Sequence, residues 1–236
     1  MSATDINPDF SLSHYTDIIH AFQDRGYHVC NFETAEPDQK HIVLRHDVDM
    51  SPAYALTMAK HEASIDVQST YFFLLRDPLY NLFTAQNTEI LREITALGHD
   101  IGLHFDASIY GNNIHDLDKN AALECEWLED LCDQKVNVIS FHRPIKELYN
   151  YEPLIAGRIH AYQPKFFTDM EYCSDSKGLW RFGHPLEREF KGAIQLLTHP
   201  IWWVWDDPKS PQQTLETYIN DLGSELKNTL FDTYKV

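Results

Sequence analysis

The sequence predicts an α/β fold, one domain in which a mostly parallel, barrel-like sheet is joined by helical crossovers. Three observations predict it. Short β-branched and aromatic runs alternate with segments whose apolar residues recur at three- and four-residue steps, the pattern of strand–helix–strand units. The 236 residues suit a single α/β-barrel domain, with no linker, internal repeat or low-complexity stretch to divide them. Four strand-like runs end in ionisable residues, and α/β barrels gather their chemistry at the C-terminal ends of their strands.

The elements follow in order. Residues 11–25 read as a helix with Leu12, Tyr15, Ile18, Ile19 and Phe22 on one face and Gly26 as its stop. A short strand over 27–32 and a polar loop containing Pro37 lead to a strand at 41–46. Ser51 as N-cap and Pro52 in the first turn open a helix that runs to about Ser64. Thr70 to Leu75 is apolar enough for a strand buried on both faces. A helix capped by Asn87 or Thr88 carries Ile90, Leu91, Ile94 and Leu97, closes at Gly98 and delivers the chain into His99–Asp106. A helix over about 116–133 is followed by a strand from Val136 to Phe141, which ends in His142-Arg143-Pro144. Short strands are expected around 158–162, 169–173 and 194–198, the last ending in His199-Pro200. A final amphipathic helix covers about 211–228, with Leu215, Tyr218, Ile219 and Leu222.

The strand at 41–46 runs into Arg45-His46-Asp47-Val48-Asp49. Strand side chains alternate, so Arg45, Asp47 and Asp49 point one way and His46 and Val48 the other. Asp47 and Asp49 then share a face with about 7 Å between their Cα atoms. That separation suits divided roles, one carboxylate binding a metal and the other acting as a base. An isolated Asp-x-Asp is more often a solvated strand end. The other strand ends, His104/Asp106, His142/Arg143 and His199, shift the balance toward one shared site. Imidazole with carboxylate suits zinc, cobalt, nickel, iron or manganese, and three protein ligands with an open position form the catalytic pattern.

Composition excludes other classes. With 36 acidic against 19 basic residues, the net charge of −17 argues against nucleic acid or anionic membrane as the main partner, because phosphate recognition requires Lys and Arg. Met1-Ser2-Ala3-Thr4-Asp5 has neither the basic start nor the apolar core of a signal peptide. No stretch approaches the roughly 18 apolar residues of a membrane span. Cys30, Cys125, Cys132 and Cys173 are dispersed without C-x-x-C spacing and read as reduced thiols of a cytoplasmic protein. No residue pattern specifies an oligomeric state.

Read together, the motifs resemble a known family. Arg45-His46-Asp47-Val48-Asp49 is followed by a helix and Ser69-Thr70-Tyr71-Phe72-Phe73, then Gly98 to His104, then Phe141-His142-Arg143-Pro144, then Leu196-Leu197-Thr198-His199-Pro200. This ordered set, over about residues 40–205, resembles the polysaccharide deacetylase superfamily, the NodB-homology enzymes of carbohydrate esterase family 4. The resemblance implies a distorted (β/α) barrel of about seven parallel strands and hydrolysis of an N-acetyl group from an amino sugar, assisted by one divalent metal, zinc first. It makes Asp47 the catalytic base, Asp49 a metal ligand and His104 the first His of the family's His-x-x-x-His metal motif. It makes Arg143 the residue that orients the base and His199 the general acid, which protonates the leaving amine. The substrate it implies is a small molecule or an oligosaccharide.

The sequence also departs from the family. The second metal His falls at position 108, where this chain has Ser108, a poor zinc ligand. His142 is the first candidate to complete the ligand set and Asp106 the second. His99 matches a structural His and is not counted as a ligand. The acid that contacts the base-orienting Arg has no clean match, and Asp175 is the candidate. Trp180-Arg181 and the cluster Trp202-Trp203-Val204-Trp205 offer aromatic faces to a sugar ring or plug the barrel rim. Ser108 keeps open a metal-independent, allantoinase-like amidohydrolase. A non-enzymatic carbohydrate-binding descendant is the reading from a different class. Against it, the sequence retains matches for base, acid, Arg and two ligands, charges that destabilise a fold when buried unpaired.

Overall fold

The strand that carries Asp47 and leads into Asp49 lies inside the sheet, between two neighbours. The structure, a computed structural model, describes residues 10–207 and 209–235. The expectation drawn from Met1–Asp5 therefore lies outside the described residues. The strands are β1 (His28–Cys30), β2 (His41–Val48), β3 (Thr70–Phe73), β4 (Asp100–Phe105), β5 (Val138–Phe141), β6 (Ile159–His160), β7 (Glu171–Ser174) and β8 (Ile194–Thr198). All pairings between them are parallel, in the order β6-β5-β4-β3-β2-β8-β7, with β1 on the first half of β2. Those seven strands curl into a half-barrel, the distorted (β/α) barrel that the sequence predicts.

Helices α1 (Leu12–Asp24), α2 (Pro52–Ser64), α3 (Ala85–Ala96) and α4 (Ile114–Cys132) are joined by two short ones, α5 (Pro164–Phe167) and α6 (Pro200–Trp203), and by α7 (Pro211–Tyr234). Ser51 caps α2 with Pro52 in its first turn, as the sequence predicts. The cap of α3 is Thr84, not Asn87 or Thr88, because its hydroxyl accepts from the Asn87 N–H one turn on. The third strand stops at Phe73 because the Leu74 N–H leaves the ladder and donates to Tyr80 Oη at 2.8 Å. The last helix continues past 228 to Tyr234. The two four-residue helices are too short to show a period, so no pattern predicts them.

Cross-strand register shows how the two faces are divided. Asp47 lies beside Phe72, Phe72 beside Gly102, and His104 beside Ser140, all on the concave face. His46 lies beside Tyr71 and Thr198 on the convex face, under the helices. The larger core fills that convex layer: Ile18, Ile19 and Phe22 of α1, Met58 of α2, Leu91 and Ile94 of α3 and Leu128 of α4 pack on Leu44, Tyr71, Leu103 and Ile139. At about 1.5–3 kcal/mol for each large side chain buried, this layer supplies most of the force that closes the fold. A smaller cluster around Phe32, Val43, Phe72, Val138 and Phe166 plugs the concave side. Gly102 is required there, since a Cβ on it would meet the Phe72 ring at 2.5 Å. Among the described residues no helix is long and apolar enough to cross a membrane.

Candidate active site

Strand alternation brings Arg45 and Asp47 together on the concave face. Arg45 donates from Nε to Asp47 Oδ1 and from Nη2 to Oδ2, both at 2.8 Å, a bidentate pair. The guanidinium is 3 % exposed and is held in place by Gln195 Oε1 at 2.9 Å and the Ser140 hydroxyl. Gln195 is itself fixed through Nε2 to the Phe166 carbonyl at 3.0 Å. Burial opposes ionisation of Asp47, but Arg45 and then His104 outweigh it and hold its carboxyl below the usual range. Asp47 is thus a carboxylate at neutral pH.

One residue beyond the end of β2, Asp49 faces His104 of β4 and His142, which follows β5 directly. Asp49 Oδ1 lies 3.2 Å from His104 Nε2 and 3.2 Å from His142 Nδ1, and those two nitrogens are 3.2 Å apart. Ligands about 2.0–2.2 Å from a tetrahedral zinc lie about 3.3–3.6 Å from one another, so this triangle is nearly the face of such a site. Asp49 Oδ1 is buried and has no hydrogen-bond partner among the described residues. One carboxylate oxygen left free between two imidazole nitrogens is a donor set that fits a divalent metal. Burial opposes the charge on Asp49, yet the neighbouring imidazoles of His104 and His142 hold its carboxyl well below the usual range. His104 Nδ1 is also buried without a partner among the described residues, where packing rather than an outer acceptor holds that ring.

The third part of the site is His199, at the end of β8. Its Nδ1 meets Asp175 Oδ1 at 2.6 Å, and its backbone N–H donates to Asp175 Oδ2 at 2.9 Å. The Trp203 indole donates to the same Oδ2 at 2.7 Å. A carboxylate accepts only, so the Nδ1 of His199 carries a proton and Nε2 faces the site, 3.8 Å from Asp49 Oδ2. Burial pushes the imidazole down, but Asp175 outweighs it and lifts the pKa to about 9. His199 is therefore an imidazolium at neutral pH.

Asp47, Asp49, His104, His142 and His199 come together at one end of the sheet, and two other expectations need correction. Arg143 is not beside Asp47: its side chain is 66 % exposed, and it approaches Asp106 Oδ2 at 3.6 Å. It follows His142 beyond the strand end, where its side chain turns out to solvent, and Arg45 occupies the place beside Asp47. Asp175 does not touch an Arg; it pairs with His199. Asp106 is engaged elsewhere, accepting from the Ser108 hydroxyl at 2.6 Å and its N–H at 3.0 Å, and it stands outside the ligand triangle. His99 is structural, accepting at Nδ1 from the Ser69 N–H and donating from Nε2 to the Ala59 carbonyl at 2.9 Å. Trp203 is fully buried, while Trp180 packs on Phe10 and Trp203.

Sequence reading missed the roles of Arg45, Ser140, Gln195 and Trp203. Arg45 had a legible signal, since it shares a face with Asp47 two residues on. The other three have none, because their partners come from distant strands. A buried network on the convex side was missed as well. Glu62, wholly buried in α2, accepts from Tyr15 at 2.5 Å, Tyr71 at 2.6 Å, Ser69 at 2.6 Å and His46 Nε2 at 2.9 Å. His46 Nδ1 continues to the Thr198 hydroxyl at 2.7 Å, directly before His199.

No protein-family model and no curated protein sequence matches the chain. Solved structures do. A CE4 family pseudoenzyme from Bacillus anthracis is similar at 16% identity, with 80% of this chain and 63% of that one covered and a TM-score of 0.43. This chain thus spans less than two thirds of that protein's length. A family 4 carbohydrate esterase from Bacillus anthracis is similar at 17% identity over 90% of this chain and 86% of that one, with a TM-score of 0.48. The Streptococcus pyogenes deacetylase PplD, solved in complex with acetate, is similar at 14% identity over 92% of each chain, with a TM-score of 0.47. Two of the three carry the name of the family that the motifs resemble. One of those two is a pseudoenzyme, so the functional reading rests on this chain's own residues.

Proposed function

We propose that this chain is a divergent polysaccharide-deacetylase-type hydrolase that removes an acetyl group from an N-acetylated sugar or sugar conjugate. One observation carries the reading: a carboxylate held ionised by Arg45 and an imidazolium held protonated by Asp175 flank a triangle of three ligand atoms 3.2 Å apart. Asp49, His104 and His142 are the residues that would hold a divalent metal, with His142 in place of the missing second His of the family motif. Bound there, such an ion would supply a Lewis acid that polarises the amide carbonyl and makes water more acidic.

The chain's own groups divide the proton transfers. Asp47 takes the proton of the water whose oxygen attacks the carbonyl carbon, and Arg45 keeps that carboxylate aimed and charged. As the C–N bond breaks, His199 gives its Nε2 proton to the amine nitrogen, and Asp175 stabilises the imidazolium until then. The free amine and acetic acid leave, the acid giving its proton to the amine or to water, and the proton on Asp47 returns through solvent to His199. Each positioned acid or base is worth about 10²–10⁴ in rate.

The test is incubation of the metal-supplemented protein with N-acetylated sugars and sugar conjugates, read by mass as loss of the acetyl group. Asp47→Asn is expected to lower turnover about 10²–10⁴-fold, and full activity in that variant contradicts the assignment.

A further inference from the structure

An apolar cleft of about 550 Å³ opens directly beside the acid, with Asp49 and His199 among its lining residues. The rest of its surface comes mainly from Met50, Ile201, Trp202, Pro211, Leu215 and Ile219, so α6 and α7 make most of the walls. Its volume lies within the range of small-molecule sites, about 300–1,000 Å³. The methyl of an acetyl group needs little more space than a water, about 30 Å³. The cleft is therefore far larger than the departing acetyl requires.

The walls are fixed in place. Tyr218 Oη donates to the Met50 carbonyl at 2.6 Å and ties α7 to the residue after Asp49. Trp205 Nε1 donates to the Ile201 carbonyl at 2.6 Å. Gly178, at φ +66°, lets its loop close on the start of α7, since a Cβ there would meet Pro211 Cγ at 2.6 Å and Trp202 at 3.4 Å. Besides Asp49 and His199, the exposed Lys177, Gln212 and Glu216 are the polar residues of a mainly apolar lining. An apolar floor with a few polar groups is a pattern for binding an amphiphile.

Which part of the substrate enters follows from the chemistry of His199. As the group that protonates the leaving nitrogen, it stands on the amine side of the scissile bond, and the cleft starts at that same side chain. We infer that the substrate is an N-acetylated amino sugar whose leaving amine portion carries an apolar group of several carbons, an alkyl or lipid-like aglycone, seated between α6 and α7. This rests on the hydrolase reading and narrows its substrate class.

The experiment measures binding by calorimetry to metal-supplemented Asp47→Asn protein, in which turnover is suppressed. The probes are methyl, butyl and hexyl glycosides of N-acetylglucosamine, with N-hexanoyl methyl glycoside as the acyl-side control. Burial of the alkyl chain predicts binding about threefold to fourfold tighter per methylene. Ile219, which is 64% exposed, can be changed without disturbing the core. Adding Ile219→Asp is expected to weaken the hexyl glycoside about tenfold and leave the methyl glycoside unchanged. Equal affinity for methyl and hexyl glycosides, tighter binding of the N-hexanoyl compound than of the hexyl glycoside, or no binding of any member overturns the inference. Wild-type turnover separates the two claims. Chain-length-dependent binding with no deacetylation supports the cleft and sinks the hydrolase; deacetylation indifferent to chain length does the reverse.

Discussion

Asp47 and His199 carry opposite charges because each is paired with a fixed opposite charge. Arg45 keeps the first ionised against burial, and Asp175 keeps the second protonated. Removing Arg45 leaves Asp47 buried alone, so Arg45→Ala is expected to cost about 3–5 kcal/mol in denaturant unfolding and to raise the pH at which Asp47 protonates. An unchanged midpoint and acid limb would contradict the pairing. On the alkaline side, His199 holds its proton below about 9 and loses it above, so deacetylation should fall as pH rises through about 9. Asp175→Asn removes the charge that lifts this pKa while burial remains, so the alkaline limb should move down by more than about one unit in a pH–rate profile. At this scale the residues in the motifs were legible by order, and their partners were less so. The site's His and Asp residues sit where strand ends place them, but the Arg beside Asp47 depends on which guanidinium the fold turns inward. Arg45 does so, from the same face of β2, and Arg143 points to solvent.

Elements were legible where they have a period. The apolar face of α1, the Ser51-Pro52 start of α2 and the alternation of Arg45 and Asp47 against His46 along β2 all appear in the structure as the sequence predicts. Glu62 was not legible, because an acid that follows Lys60 and His61 in a helix carries no sign of burial in the sequence. It is instead the charged centre that joins α1, α2, β2 and β3, and through His46 reaches Thr198 at the end of β8. Burial pushes its carboxyl up, but His46, then His99 and Ser69, outweigh that and bring it down to about 2. A carboxyl depressed in the folded state adds stability above its ordinary pKa of about 4.5 and loses it as pH falls toward 2. Glu62→Gln is therefore expected to cost about 3–5 kcal/mol near neutral pH and to flatten the acid dependence of unfolding over that window. Equal stability of the two proteins at pH 7 would show that the network is not held together by charge.

On the scale of the whole molecule, the curled parallel sheet does what no single element can. It brings the ends of β2, β4, β5, β7 and β8 together at one mouth, so groups from positions 45 to 199 meet within hydrogen-bonding and coordination distance. Fold class was legible because strand and helix patterns alternate along the chain. Ser108 leaves a gap in the ligand set for which the sequence offers His142 first and Asp106 second, and three-dimensional proximity favours His142. In the fold, Ser108 bonds Asp106, and His142 arrives from the neighbouring strand. The central claim is that Asp49, His104 and His142 form a metal site. It is tested most directly by elemental mass spectrometry on protein purified without chelators, wild type beside His142→Ala. About one divalent ion per chain in the wild type and loss of that ion in the variant is the predicted result. Equal metal content in both proteins, or none in the wild type after reconstitution, would contradict it.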